Sequence, residues 1–170
     1  MLDRILSLGK QLKLISFGAL AIFIASCAPQ QREVSIGPSI DGKKPVQVAL
    51  LLPKSHPKTQ ALSTSLENAT LMAAGDMRNV QIHLRIYDTA GNPAQAAIQA
   101  QKAVDEGAKI ILGPLFGEAA NAAGMAVADE GINVLSFSNN TSIAGGNVFI
   151  LGKTFQNTSD RLLSYAASKG

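Results

Sequence analysis

The 170-residue chain is 46% hydrophobic, 16% charged and 5% aromatic, with a formal net charge of +3. Its length suits one ordinary domain, and its composition excludes a disordered, collagen-like or coiled-coil chain. One cysteine excludes a disulfide framework and a Cys-rich zinc centre. The absence of Trp and the two Tyr argue against an aromatic platform for stacking bases.

The charge is unevenly placed. Residues 1–26 carry Arg4, Lys10 and Lys13 against Asp3, which is +2 of the total +3 and leaves +1 for the remainder. A near-neutral remainder has no footprint for a phosphate backbone, so no nucleic-acid partner is expected.

The apolar run from Leu14 to Ala25 follows this basic start. It is about a dozen residues long, where a membrane-spanning helix needs roughly 20. A basic region, a short apolar region and then small residues make a secretory signal peptide. Ile24-Ala25-Ser26-Cys27 resembles the bacterial lipobox, in which cleavage precedes a lipidated Cys. The resemblance implies a lipid anchor on Cys27, the only Cys of the chain. Ala28 rather than Asp follows it, which by resemblance to Gram-negative sorting implies the periplasmic side of the outer membrane. Several acyl chains, at about 0.8 kcal/mol per buried methylene, hold a protein on a bilayer stably. Residues 27–44 are rich in Pro, Gly and polar residues and read as a lipid-anchored flexible tether.

From residue 45 onward strands and helices alternate. Val46–Leu52 is an apolar run stopped by Pro53, hence a buried strand. Leu62, Leu66, Ala69 and Ala73 recur at helical spacing between about Gln60 and Asp76. Val80, Ile82, Leu84 and Ile86 alternate with polar residues as a half-buried strand does. Asn92-Pro93 supplies an N-cap and a proline at the first helical position, opening an Ala-rich helix that ends at Gly107. A strand over Lys109–Leu112, a helix from about Glu118 to Glu130 and a strand over 132–136 follow. Val148–Leu151 is a candidate fifth strand, and a last helix is expected from about Thr158 to Gly170.

Strands separated by helices predict an α/β fold: a parallel sheet with helices on both faces, joined by right-handed crossovers. Ligands bind beyond the carboxyl ends of strands in such sheets. The loops Pro53–Thr59, Gly113–Glu118 and Ser136–Thr141 are therefore the candidate site.

Four ordered segments carry a resemblance. They are Val48-Ala49-Leu50-Leu51-Leu52-Pro53, Tyr87-Asp88-Thr89-Ala90-Gly91-Asn92-Pro93, Ile111-Leu112-Gly113-Pro114-Leu115-Phe116 and Val134-Leu135-Ser136-Phe137-Ser138-Asn139. Together they resemble the N-terminal lobe of type 1 periplasmic binding proteins, the leucine/isoleucine/valine-binding group. Gly-Pro-Leu-Phe, Ser-Phe-Ser-Asn and the run Ser142-Ile143-Ala144-Gly145 resemble most the lipoprotein branch of penicillin-binding protein activators. That resemblance implies an outer-membrane lipoprotein that activates a penicillin-binding protein in peptidoglycan synthesis. The alternative it leaves open is an amino-acid-binding lipoprotein of an ABC transporter. Relatives have two lobes, so residues 45–170 are expected to be one lobe of a longer sequence.

The ligand- or partner-binding candidates are Gly113, Pro114, Gly117, Ser136, Ser138, Asn140 and Thr141. By resemblance, the loop after Leu112 offers a hydroxyl in amino-acid-binding relatives, whereas Gly117 and Glu118 stand here. The Gly113-Pro114 turn is either a ligand contact or simply a tight turn. Ser138 and Asn140 either touch a ligand or cap their own loop. Asp88 reads as an Asx-turn residue and His83 as solvated, and His56 lacks a second metal ligand nearby in sequence. No catalytic motif is present and no metal or cofactor is expected. Gly152-Lys153-Thr154 ends like a phosphate-binding loop, but Asn147 stands where its first Gly belongs.

Replacing Cys27 by Ala is expected to move the protein from the membrane to the soluble fraction. Globomycin should make a slower-migrating precursor accumulate, as read by immunoblot of fractionated cells.

Overall fold

A computed structural model describes residues 37–170. The expected signal peptide, Cys27 and most of the tether lie outside the described residues. Five parallel strands form one sheet in the order β2-β1-β3-β4-β5. The strands are β1 (Val46–Leu52), β2 (Ile82–Asp88), β3 (Ile110–Leu112), β4 (Asn133–Ser136) and β5 (Val148–Ile150). The helices are α1 (Gln60–Asp76), α2 (Pro93–Asp105), α3 (Gly117–Ala126) and α4 (Phe155–Ala167). A single 3-10 turn, Thr141–Ile143, interrupts the loop after β4.

β1 lies between β2 and β3, with Leu50 opposite Ile86 on one side and Leu112 on the other. Its side chains alternate between the two faces, and Leu50, Leu51 and Leu52 are all 0% exposed. Both faces at β1 are therefore covered. On one face, α2 and α3 pack together over Ala49, Leu51, Tyr87, Ile111, Val134 and Val148. Ala100, Ala103 and Ala123 line this core and bring the helices close to the sheet. α1 packs against β1 and β2, and Ser63 Oγ donates to the Pro53 carbonyl at 3.2 Å, tying the helix to the end of β1.

β1 and α1 span the residues the sequence pattern assigns to them. β2 is half-buried by alternation but begins at Ile82 rather than Val80. Asn92 caps α2, its Oδ1 accepting from the Gln95 N–H at 3.1 Å, with Pro93 at the first helical position.

Two helices differ from expectation. α3 ends at Ala126, not near Glu130, because Asn147 Nδ2 donates to the Gly124 and Ile132 carbonyls at 2.9 Å each. A side chain from the next crossover thus takes a carbonyl that another helical turn would have used. α4 begins three residues before Thr158, because Thr154 Oγ1 accepts from the Asn157 N–H at 3.1 Å. Thr158 lies inside the first turn, its hydroxyl donating to the Thr154 carbonyl. None of the α4 residues is buried, and Phe155, Leu162, Leu163 and Tyr165 are exposed.

Between β2 and α2, the Glu106 carboxylate accepts from the Tyr87 hydroxyl at 2.8 Å and from Arg85 at 2.9 Å. Those two bonds hold its pKa below the ordinary 4.5. Burial pushes the Tyr87 phenol above its ordinary 10.0, and its bond to Glu106 adds to the rise. A lowered carboxylate stabilises the fold above its unfolded pKa and loses that contribution as pH falls through the folded value. A raised phenol keeps its contribution below its unfolded pKa and loses it in more alkaline solution. The cluster therefore stabilises across the interval from about 4.5 to about 10. Urea midpoints measured at pH 7 and pH 3 should fall more for the wild type than for Glu106→Gln.

Candidate functional site

The loops that follow the five strands gather at one edge of the sheet. The loops after β3 and β4 are bound to each other. Ser136 Oγ, fully buried, donates to the Pro114 carbonyl at 3.0 Å and accepts from the Ser138 N–H at 3.0 Å. The Phe137 N–H donates to the same Pro114 carbonyl at 3.1 Å, and the Gly113 N–H to the Leu135 carbonyl at 2.8 Å.

Gly113 has φ +87, and the Gly113-Pro114 peptide is cis. A Cβ at Gly113 would overlap the Leu51 carbonyl, so the position needs glycine for backbone angle and space alike. Gly113 and Pro114 are buried scaffold rather than open contact surface.

Gly117, Ser138 and Asn140 come together. A Cβ built on Gly117 would lie 3.4 Å from both Ser138 Oγ and Asn140 Nδ2. Ser138 Oγ accepts from the Asn140 N–H at 3.1 Å. Asn140 Oδ1 accepts from the Ser142 N–H at 3.0 Å and from its hydroxyl at 2.7 Å, capping the 3-10 turn. Thr141 opens that turn and borders a shallow hollow of about 420 Å³ with Asn139, Asn140, Thr154 and Phe155. The oxygens of Ser136, Ser138 and Asn140 thus cap their own loop. The α3 N-terminus differs: Phe116 at the N-cap supplies no side-chain acceptor. Its first-turn N–H groups therefore remain open, in the manner that suits an anion.

The loop after β1 contributes His56, whose Nδ1 lies 3.1 Å from Thr59 Oγ1. Its ring meets Phe116 edge to face, with centroids 5.6 Å apart at 71°. Sequence reading noted His56 only as an incomplete metal ligand and missed Phe116; their contact spans sixty positions and leaves no local signal. No group of three metal-ligating side chains comes together among the described residues.

Asp88 joins this loop to the next, its Oδ1 accepting from the Ala90 N–H at 2.8 Å and the Ser55 N–H at 3.3 Å. Burial pushes its carboxyl up, but the bonds from Ala90 and Ser55 outweigh that and leave it below the ordinary value. It is an Asx-turn residue, as expected. His83 is exposed on β2, and Lys54 pairs with Glu67 at 2.8 Å. Gly152 is no phosphate loop: a Cβ there would lie 2.5 Å from the Ser138 carbonyl and 2.7 Å from that of Phe137.

A parallel open sheet with its polar loops gathered at the carboxyl edge is an α/β lobe of the kind in which ligand sites form at that edge. The family model for a periplasmic binding protein matches residues 45–170, and the chain belongs to that family. No curated protein matches it.

Among solved structures, a leucine binding protein from Thermotoga maritima is 19% identical, with a TM-score of 0.60 over 71% of this chain and 37% of its own. A branched-chain amino acid ABC-type transporter protein from Rhodopseudomonas palustris is 18% identical, with a TM-score of 0.58 over 64% of this chain and 33% of its own. A solute binding protein from R. palustris in complex with 4-hydroxybenzoate is 21% identical, with a TM-score of 0.59 over 75% and 37%. These likenesses are in fold, and this chain spans about a third of the length of each.

Gly152→Ala must push the exit of β5 away from the β4 loop. Overpacking of this kind costs about 1–3 kcal/mol, measured by urea unfolding. Gly42→Ala, with nothing within 4 Å of the added Cβ, serves as the neutral control.

Proposed function

We propose that this chain provides the ligand-receiving lobe of a periplasmic solute receptor, an amino-acid-binding lipoprotein serving an ABC transporter. The observation that carries this reading is the uncapped N-terminus of α3 beside Ser138 and Asn140, at the carboxyl edge of a parallel sheet. Open N–H groups and the positive end of the helix suit the carboxylate of a small acid or amino acid. Solved proteins of the same fold were captured with isoleucine, leucine and hydroxybenzoates, all of them carboxylates, which supports the choice of ligand class. In this reading Cys27 carries the lipid anchor and residues 27–44 are the tether.

A second reading rests on a different observation. Ser136, Ser138 and Asn140 are already engaged within their loop, and Gly117 offers no hydroxyl. A lobe whose polar loop is self-satisfied suits a scaffold, here one that binds and activates a penicillin-binding protein in peptidoglycan synthesis.

A thermal-shift screen of the full chain with amino acids separates the two. A ligand at about 100 times its dissociation constant adds about 2.7 kcal/mol of stability, so a receptor gives a clear upward shift with at least one amino acid. A flat screen, with capture of a penicillin-binding protein on the immobilised chain, overturns the receptor reading in favour of the scaffold.

A further inference from the structure

A cavity of about 350 Å³ opens beside α3, between the loops after β1, β2 and β3. Its place follows from the topology. β1 has β2 on one side and β3 on the other, so the strand order reverses there, and the loops after β1 and β3 diverge and leave a crevice. His56 comes from the first of these loops, Gly91 from the second and Phe116 from the third, with Pro93 opening α2 and Glu118 in the first turn of α3.

The lining is selective in charge. Glu118 lies in the first turn of α3 and has no ion-pair partner among the described residues. No Lys or Arg lines the cavity, and Lys54 in the adjoining loop is occupied by Glu67. The His56 ring is held by Thr59 at Nδ1 and by Phe116 edge to face, and Nε2 has no partner among the described residues. A Cβ at Gly91 would come within 3.0 Å of both rings, so the bare backbone closes the crevice against them. A carboxylate and an aromatic ring together suit a donor-rich cation.

We propose that this cavity receives a cationic side chain of the ligand, so that the amino acid bound by this lobe carries a side-chain ammonium or guanidinium group besides its α-carboxylate and α-ammonium. The proposal rests on the receptor reading and names its ligand class. The carboxylate lies at Gly117 and the uncapped turn of α3, and the cation extends past Glu118 toward His56 and Phe116. Simple branched-chain amino acids bring no side-chain charge to Glu118 and bind less well.

The test is isothermal titration of the full chain in mild detergent with arginine, citrulline, lysine, norleucine and leucine. Arginine should bind about five- to tenfold more tightly than citrulline, and lysine similarly against norleucine, the sum of one half-exposed ion pair and one cation–π contact. Glu118→Gln should cut each ratio to about two- to threefold, the share left to the cation–π contact; Glu118 is exposed, so the substitution leaves the core intact. Phe116→Leu should reduce the ratios part way. Equal binding of the two members of each pair, or a preference that Glu118→Gln leaves undiminished, overturns the proposal and leaves the receptor reading standing. No binding by any of the five amino acids overturns both.

Discussion

The burial of Leu50, Leu51 and Leu52 on both faces of β1 is the constraint on which the rest depends. Three fully buried leucines contribute about 1.5–3 kcal/mol each in removing apolar surface from water. That gain requires a helix layer on each side and a strand on each edge, which parallel crossovers supply. Once β1 is central, the carboxyl edge is fixed and every polar loop with a candidate residue falls on it. The site is thus a consequence of where the core had to be.

The loops at that edge use polar groups economically. Ser136 serves Pro114 and Ser138, Ser138 serves Asn140, and Asn140 serves Ser142. The chain of bonds fixes the β4 loop against β3 without burying an unpaired donor. It also leaves unpaired groups elsewhere, on the first turn of α3 and at His56 beside Phe116. The fold offers two chemically different neighbourhoods a few residues apart: bare N–H groups around Gly117, and a carboxylate beside two rings past Glu118.

Much of this was legible residue by residue. The apolar run before Pro53, the spacing of Leu62 and Leu66 and the Asn92-Pro93 pair each carry their own local cause, and the strand and helices they announce are present. The errors share one source. The end of α3 is set by Asn147, more than twenty positions away, and nothing between Ala126 and Glu130 signals it. The start of α4 lies at one of two threonines of equal capping chemistry, and Thr154 is the buried one, sharing a hollow with Asn139 and Asn140 of the β4 loop.

By itself the sequence determined the α/β alternation and the candidate loops, because hydrophobic period and capping residues act over three or four positions. Its lipobox-like segment supports a lipid anchor through a motif that needs no folded context. Only the tertiary structure decided which loop oxygens are already engaged, that α3 begins without a cap, and that His56, Phe116 and Glu118 share a cavity. Those facts are distances between residues far apart in the chain, and a distance of that kind exists only once the sheet has brought its loops to one edge.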